Sequence, residues 1–227
     1  MRRVVTPELL DTDAGTPAEV EQSLRDIARV NRWFGGTSTS ARLVERAAER
    51  SGRTRLTLLD VGAGRGNVAR GVRQQMQRRG VRVEITLLDR AASHLPRNGV
   101  RCAAGDALAL PFRDNGFDLV ACALLAHHLE PEEIISFVDD ALRVCRVAVL
   151  INDLRRGPVH LALVYAGFPL FRSHMAWHDG IASVRRAYTR SEMTAMLRRT
   201  KAAEVEIEER YLYRMGAVAW KTAVRSS

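Results

Sequence analysis

An acid followed by closely spaced glycines makes residues 60–66 the stretch of this sequence best suited to binding a small polar ligand. The apolar run LTLL at residues 56–59 leads into Asp60, and Gly62, Ala63 and Gly64 follow. Glycine permits a tight turn and a close approach of the backbone to a ligand. A helical pattern then begins at about residue 68, and a helix N-terminus offers unpaired N–H groups. The spacing is G-x-G-x-G and not the G-x-G-x-x-G of dinucleotide-binding turns, so a ligand carboxylate suits it at least as well as a pyrophosphate.

Two more acids lie next to apolar runs further along the chain. The run VEITLL at residues 83–88 ends at Asp89, and Asp106 precedes the run ALALPF. Ligands of open parallel sheets bind at the carboxyl ends of the strands, so we expect these acids to lie near the glycine turn. Taken singly, each acid is explained as well by a turn or a helix cap.

These segments, in this order, resemble the class I S-adenosylmethionine (SAM)-dependent methyltransferases. The run DVGAGRG at residues 60–66 resembles the family's first motif, GDALALPF at 105–112 its adenine-contacting segment, and FDLV at 117–120 the opening of its fourth strand. The resemblance covers about residues 56–133 and is loose at both ends. It implies SAM as cofactor, with the ribose hydroxyls on Asp89 and the adenine amine on Asp106. The cofactor residues predicted in this way are Asp60, Gly62, Ala63, Gly64, Asp89, Arg90, Asp106, Ala107 and Leu124.

Alternating strand and helix patterns predict an α/β fold with a doubly wound, mostly parallel sheet. Strands are predicted near 55–60, 83–88, 100–103, 117–123 and 146–152, and helices near 66–79, 91–95, 131–144 and 157–172. The resemblance implies that patterns at 204–213 and 215–224 close a seven-stranded sheet as an antiparallel pair. Residues 1–50, with helical patterns at 19–34 and 37–50, are predicted to form an N-terminal helical cap. Residues 51–227 are predicted to form the methyltransferase domain, with a helical lid insertion near 157–190, and residues 1–17 are expected to be irregular and partly mobile.

Two adjacent histidines follow the fourth predicted strand, where the resemblance places both cofactor and acceptor. Methyl transfer depends on the alignment of nucleophile, methyl group and sulfur, and a phenol or enol acceptor must also lose a proton. Imidazole titrates near neutral pH, and a positioned base is worth about 10²–10⁴ in rate. We therefore hypothesise that His127 or His128 is a catalytic base, with His128 preferred; the alternative is a packing or capping role.

Candidate acceptor contacts lie in the segment after the fifth predicted strand. Asp153 either orients the acceptor or caps the following helix. The aromatic content of residues 168–188 suits a planar or lipid-like acceptor, and Arg185 or Arg186 could pair with a carboxylate. The predicted contacts are Asp153, His174, Trp177, Arg185 and Tyr188. The alternative is an ordinary lid helix with solvated arginines.

Two further features concern a possible metal site and the aromatic end of the first predicted helix. His174 and His178 are one helical turn apart, but no neighbouring ligand completes a metal site, so no metal is predicted. Trp33 and Phe34 could close the cofactor site or only dock their helix on the core.

Composition indicates a single globular domain. The chain has 227 residues, of which 46% are hydrophobic and 27% charged, enough for a sizeable core. The net charge of +9 raises the possibility of nucleic-acid binding, but Lys201 and Lys221 are the only lysines and the arginines are scattered, which argues against it.

Three cysteines in apolar surroundings are expected to be buried and reduced. With no signal peptide or membrane span, we expect a cytoplasmic protein, in which the apolar stretch at 159–171 could touch a membrane surface weakly.

These observations predict a SAM-dependent methyltransferase acting on a small aromatic, phenolic or quinoid acceptor, at oxygen or carbon. The chain most resembles the small-molecule branch that includes the ubiquinone and menaquinone biosynthetic enzymes. One alternative is an RNA or protein methyltransferase of the same fold. Another is a nicotinamide-dependent oxidoreductase, which would need the G-x-G-x-x-G turn. A third is a cofactor-binding regulator without activity. The sequence predicts no oligomeric state.

Overall fold

A single seven-stranded sheet forms the centre of the part of the chain that the computed structural model describes, residues 1–12, 14–97 and 99–222. Its strands are β1 Arg55–Val61, β2 Arg82–Asp89, β3 Arg101–Ala104, β4 Phe117–Ala123, β5 Cys145–Leu154, β6 Glu204–Arg210 and β7 Arg214–Trp220. The spatial order is β3-β2-β1-β4-β5-β7-β6. Strands β1 to β5 run parallel, and β7 is antiparallel to both β5 and β6. The predicted mostly parallel, doubly wound sheet with a closing antiparallel pair is confirmed.

Helices cover both faces of the sheet and its carboxyl edge. They are α1 Pro17–Trp33, α2 Gly36–Ser51, α3 Asn67–Arg78, α4 Pro131–Val144, α5 Pro158–Ala166, α6 His174–Arg186 and α7 Arg190–Leu197. Short 3₁₀ turns occupy Leu9–Thr12, Ala92–His94, Ala126–His128 and Phe168–Leu170.

Several predicted elements end at other residues than expected, and the strand predicted at 204–213, for example, ends at Arg210. The helix predicted at 157–172 ends at Ala166 with Gly167 as its cap, and Phe168–Leu170 forms a separate 3₁₀ turn around Pro169. The helix predicted at 91–95 is only a 3₁₀ turn. The last strand ends at Trp220, and residues 223 and 224 of its predicted range lie outside the described residues.

Both faces of the central strands are buried, in two separate cores. Leu59, Val120 and Ile151 pack with α4 and α7 on one face, whereas Leu58, Leu119 and Leu150 pack with α2 and α3 on the other. Alternate side chains of a strand point to opposite faces, so strands covered on both faces are apolar throughout. This burial explains the continuous hydrophobic runs in the sequence.

The first 50 residues do not form one separate cap. Leu43 and Val44 of α2 are buried in the core with β1, so α2 is a layer of the central domain. By contrast, α1 and the segment before it line the cavity at the carboxyl ends of the strands. The amphipathic pattern of α2 fits a cap as well as a core layer, because the sequence alone does not say which surface an apolar helix face covers.

The N-terminal segment is anchored by specific contacts. The Asp179 carboxylate of α6 accepts hydrogen bonds from the backbone N–H groups of Leu9 (2.8 Å) and Leu10 (3.0 Å). Arg3 forms an ion pair with Glu130 at the start of α4. The expectation of an irregular segment is therefore corrected at residues 9–12, where these contacts hold a 3₁₀ turn across the sheet's carboxyl edge.

Two further expectations concern cysteine and the membrane. Cys122 and Cys145 are buried as expected, but Cys102 is exposed because β3 is a four-residue edge strand. Over residues 1–12, 14–97 and 99–222, every helix is too short or too polar to cross a bilayer.

Candidate active site

A cavity of about 620 Å³ lies at the carboxyl ends of the parallel strands. The strand ends supply much of its polar lining. Leu24 and Ile27 of α1, Val164 of α5 and Val184 of α6 form one apolar wall, together with Phe171 between α5 and α6. The structure brings together in this lining all nine residues predicted to bind the cofactor, namely Asp60, Gly62, Ala63, Gly64, Asp89, Arg90, Asp106, Ala107 and Leu124. His127 and His128 line it as well.

The glycine turn after β1 has a backbone that favours glycine. Gly62, Gly64 and Gly66 have φ angles of 68°, 51° and 67°, in the left-handed region that side chains disfavour. A Cβ added to Gly66 would lie 2.5 Å from Leu87 Cδ1, whereas one added to Gly64 would have no described atom within 4 Å. Gly64 therefore faces open cavity space, where a ligand can approach the backbone closely.

Asp89 ties the end of β2 to the glycine turn. Its Oδ2 accepts a hydrogen bond from the Gly64 N–H (2.8 Å), and its Oδ1 accepts one from the Ala91 N–H (2.9 Å). A carboxylate oxygen can accept more than one hydrogen bond, so both oxygens keep capacity for the two hydroxyls of a ribose. Asp106, on the next loop, accepts from the Leu108 N–H (2.9 Å). These contacts and the open space at Gly64 fit the nucleoside and amino-acid parts of SAM.

Asp60 is a buried carboxyl beside this turn. Burial, together with the charge of nearby Asp89, raises the pKa of Asp60 to about 7. Because SAM carries a sulfonium and an ammonium group, its arrival would favour the ionised form of Asp60.

His127 is held between two carboxylates. Its Nδ1 lies 2.6 Å from Asp153 Oδ1, and its Nε2 lies 3.3 Å from Glu8 Oε1. Burial alone would lower the pKa of His127, but the Asp153 and Glu8 carboxylates raise it to about 10. An imidazolium at neutral pH cannot accept a proton, so this geometry argues against His127 as the base.

His128 also has a carboxylate at each ring nitrogen. Its Nδ1 lies 3.1 Å from Asp11 Oδ1 and its Nε2 lies 3.6 Å from Glu8 Oε2. His128 and Arg186, whose Nη1 is 3.3 Å from Asp11 Oδ2, lower the pKa of Asp11 to about 2 despite its partial burial, which acts in the opposite direction. Both ring nitrogens of His128 thus face acidic side chains of the N-terminal segment.

Asp153 takes neither of the two roles considered for it. Its carboxylate is buried behind His127, outside the cavity lining. It accepts hydrogen bonds from the backbone N–H groups of His127 (3.0 Å) and Leu154 (2.6 Å). Burial would raise the pKa of Asp153, but the contact with His127 lowers it. Asp153 is therefore a positioning residue for His127.

The other predicted acceptor residues lie outside the cavity lining. Trp177 packs edge-on against Phe168 at a ring-centroid distance of 4.9 Å, and Arg185 donates to the Tyr165 hydroxyl. The Tyr188 hydroxyl donates to the Leu129 carbonyl. His174 is exposed at the start of α6 and contacts Trp177. The face of α6 that lines the cavity carries Ala176, Asp179, Gly180, Ser183, Val184 and Arg186. Of the two arginines predicted as partners of a carboxylate, Arg186 therefore lines the cavity and Arg185 does not, and the aromatic residues mark other faces of this helix.

Trp33 does not close the site. It is 53% exposed, while Leu24, Ile27 and Asn31 of the same helix line the cavity. The face of α1 that carries Leu24, Ile27 and Asn31, and not its terminal tryptophan, is turned inward.

Sequence reasoning missed two cationic or basic side chains of the cavity wall, Arg214 and His160. Arg214 is fully buried; its Nη2 donates to Asn31 Oδ1 (2.7 Å), and its Nη1 has no hydrogen-bond partner within the described residues. Burial lowers the pKa of Arg214 to about 10, although Asp153 acts in the opposite direction. The available signal was an arginine opening the otherwise apolar strand RMGAVAW at 214–220.

Burial of His160, on α5, favours its neutral imidazole form. Its Nδ1 lies 2.9 Å from the Arg155 carbonyl oxygen. Since a carbonyl only accepts, Nδ1 carries the hydrogen and Nε2 is left as an acceptor. Burial and the charges of Arg214 and Arg155 lower the pKa of His160. Glu8 and Asp11, also missed, lie in a segment with no periodicity that could have indicated them.

Comparison with known proteins agrees with this geometry. A family model described as a methyltransferase domain matches residues 59–149. The fold is similar to that of the plantazolicin methyltransferase BpumL in complex with SAH, with a TM-score of 0.69, 12% identity and 93% of each chain covered. It is also similar to human N-acetylserotonin methyltransferase in complex with SAM, with a TM-score of 0.61 and 15% identity; 90% of this chain aligns with 57% of the human one. No curated protein matches the sequence.

At these identities the structural likenesses establish a shared fold, the Rossmann-like fold of class I methyltransferases. The methyltransferase-domain match over residues 59–149, together with this shared fold, supports a SAM-dependent methyltransferase with SAM as its cofactor.

Proposed function

We propose that this methyltransferase acts on a small aromatic, phenolic or quinoid acceptor, which it methylates at oxygen or at an activated ring carbon. The observation that carries the proposal is the composition of one cavity. The polar lining predicted to bind SAM continues into an apolar lining from Leu24, Ile27, Val164, Phe171 and Val184. Binding sites for small organic molecules are mostly apolar with a few convergent polar groups.

SAM, when bound, supplies a methyl group on a positively charged sulfur that a nucleophile can attack. The glycine turn and Asp89 would hold the cofactor, because their own hydrogen bonds already fix their positions. The apolar walls of α1, α5 and α6 would hold a planar acceptor and exclude water. Holding both reactants in line contributes much of the acceleration of such a transfer.

Arg214 and His160 supply the polar groups that a phenolic acceptor needs. The unpartnered Arg214 Nη1 would donate a hydrogen bond to the acceptor oxygen and favour its ionised form. His160, which is neutral and has a free acceptor nitrogen, would take the proton. In this proposal His160 replaces the histidine pair His127 and His128 as the candidate base.

Apolar side chains on the outer surface support a lipid-like acceptor. Val159 and Leu163 of α5, and Phe168 and Leu170 after it, are each 47–57% exposed. Clustered exposed apolar residues often mark a binding surface. Weak contact of this surface with a membrane that carries a quinoid acceptor is consistent with the predicted behaviour of residues 159–171.

The experiment is a competition among acceptor classes. The protein is incubated with SAM and a hydroquinone, a naphthohydroquinone, a catechol, a folded RNA or an azole-containing peptide, and SAH and the methylated product are measured by mass spectrometry. We expect methyl transfer to at least one small hydroxylated ring, and an Arg214→Met variant that binds SAM but loses most of this transfer. Transfer to RNA or peptide alone would overturn the proposal in favour of a macromolecular methyltransferase.

A further inference from the structure

Two imidazoles and a carboxylate converge at the edge of the cavity. We propose that Glu8, His127 and His128 form a binding site for a divalent first-row transition-metal ion, of which Zn²⁺ is the representative. One ligand atom from each side chain lies within 4.8 Å of the other two. The sequence predicted no metal, because Glu8 is far from the histidine pair along the chain. The site is independent of the proposed acceptor, since the ion would bind without cofactor or acceptor.

The separations of the ligand atoms suit coordination better than hydrogen bonding. His127 Nε2 is 3.3 Å from one Glu8 oxygen, and His128 Nε2 is 3.6 Å from the other. Two ligand atoms of a tetrahedral zinc ion, each about 2.1 Å from the metal, stand about 3.4 Å apart. Good N–H···O hydrogen bonds are shorter, at about 2.9 Å. In keeping with this, His127 Nε2 is buried without a hydrogen-bond partner in the described part of the chain.

The second nitrogen of each imidazole is held by a carboxylate. Asp153 lies 2.6 Å from Nδ1 of His127, and Asp11 lies 3.1 Å from Nδ1 of His128. A metal-binding histidine almost always donates its other N–H to a carboxylate, a carbonyl or water, which fixes the tautomer and raises ligand basicity. Both histidines have this arrangement, and it leaves both Nε2 atoms facing Glu8.

The charges around the site favour a dication. The carboxylates of Glu8, Asp11 and Asp153 surround the two imidazoles, and the Arg186 guanidinium contacts Asp11. With neutral histidines, these three carboxylates outnumber the nearby guanidiniums of Arg186 and of Arg214, whose charge acts on Asp153, so a bound cation would offset the excess negative charge.

The ligand set indicates which ion would bind and where a further ligand would enter. Mixed imidazole and carboxylate ligands suit Zn²⁺, Co²⁺ and Fe²⁺ better than Ca²⁺ or Mg²⁺. Three protein ligands leave a position open, and all three residues line the cavity. The open position would therefore take water or an oxygen of a cavity ligand.

The test is calorimetric titration of tag-free, metal-stripped protein with Zn²⁺, with Co²⁺ absorption as a second readout of ligand geometry. We expect one Zn²⁺ per chain. Glu8→Gln and His128→Gln should each weaken binding about tenfold or more, with circular dichroism unchanged. A His174→Gln/His178→Gln double variant is the control, because it removes two histidines one helical turn apart elsewhere.

Each outcome decides the proposal. Stoichiometric binding that both site variants weaken and the control retains supports it. Absence of Zn²⁺ binding in the unmodified protein overturns it, as does binding that only the control loses. If Glu8→Gln fails to fold, His128→Gln alone decides, because His128 is only partly buried.

Discussion

The Asp153 carboxylate lies 2.6 Å from Nδ1 of His127, and this contact joins the end of β5 to the turn that follows β4. The same carboxylate accepts the backbone N–H of His127, so both the ring and the main chain of the histidine are fixed. A residue expected to touch the acceptor instead orients a buried histidine, whose other ring nitrogen faces Glu8. The N-terminal segment is thereby coupled to the sheet at the cavity.

Gly64 should be essential for cofactor binding but not for folding. A valine there would project into open cavity space and block the approach of the ligand. We expect Gly64→Val to abolish measurable SAM binding in calorimetry while the circular dichroism spectrum stays native.

Gly52 offers a matched control for this substitution. Its φ angle is 66°, close to the 51° of Gly64, and a Cβ at Gly52 also meets open space, but Gly52 caps α2 outside the cavity lining. Gly52→Val should suffer a comparable backbone strain and keep normal SAM affinity. Micromolar SAM affinity in Gly64→Val would refute the role of the turn.

Removal of the Asp89 carboxylate should weaken SAM binding more than removal of that of Asp106. Hydrogen bonds to charged groups contribute about 1.5–3 kcal/mol each, and Asp89 also holds the Gly64 N–H. We expect Asp89→Ala to lower affinity by more than about tenfold and Asp106→Ala by less. Asp114→Ala, on an exposed loop, is the control. Equal, unchanged affinity in the first two variants would mean that the cofactor lies elsewhere.

The raised pKa of Asp60 predicts a pH-dependent stability. The pKa of Asp60 is about 7 in the folded protein and about 3.9 in the unfolded chain. At a pH between these two values Asp60 is therefore protonated in the folded protein and ionised in the unfolded chain. The free energy of unfolding therefore falls as pH rises from about 4 through about 7. Relative to an Asp60→Asn variant, the unmodified protein should lose about 2–3 kcal/mol between pH 5 and pH 8. Urea unfolding at four pH values measures this, and parallel curves for the two proteins would contradict it.

The central sheet and the cofactor end of the cavity were predictable because local pattern determines them. Buried parallel strands carry long apolar runs, and the left-handed turn at Gly62, Gly64 and Gly66 favours glycine. Asp89 could be predicted as a cofactor residue because it stands at the end of a strand pattern.

The rest of the site depends on contacts between distant segments. Glu8 meets His127 because contacts with α6 anchor the N-terminal turn, through Asp179 and through the Ser183 hydroxyl, which donates to Glu8. Arg214 enters the cavity wall through the antiparallel pairing of β7 with β5. Which face of α6 turns inward is decided by tertiary packing, and for that reason the aromatic residues Trp177 and Tyr188 were a misleading guide to the acceptor.

His160 should act as the base for a hydroxylated acceptor. Because its pKa lies below the ordinary value, turnover at saturating SAM should rise with pH below about 6.5 and be level from pH 7 to pH 8. His160→Gln should lower kcat about 10²-fold and remove this dependence. His178→Gln, outside the cavity lining, should leave the profile unchanged. An unaltered rate and profile in His160→Gln would leave the proton to solvent or to another group.

The account rests on the acceptor lying in the cavity between α1, α5 and α6, and Gly180 allows this to be tested directly. A Cβ at Gly180 would meet Val164 and Phe171 at ordinary contact distances of 3.5 and 3.7 Å, so a leucine there would fill the apolar end of the cavity, and helix propensity would favour it by about 1 kcal/mol. The decisive measurement is the rate of labelled methyl transfer from SAM to the best phenolic acceptor by the unmodified protein, Gly180→Ala and Gly180→Leu. We predict that Gly180→Ala stays active, whereas Gly180→Leu binds SAM normally and loses transfer by about tenfold or more. Full transfer by Gly180→Leu, with SAM affinity intact, would contradict the account and place the acceptor outside this cavity.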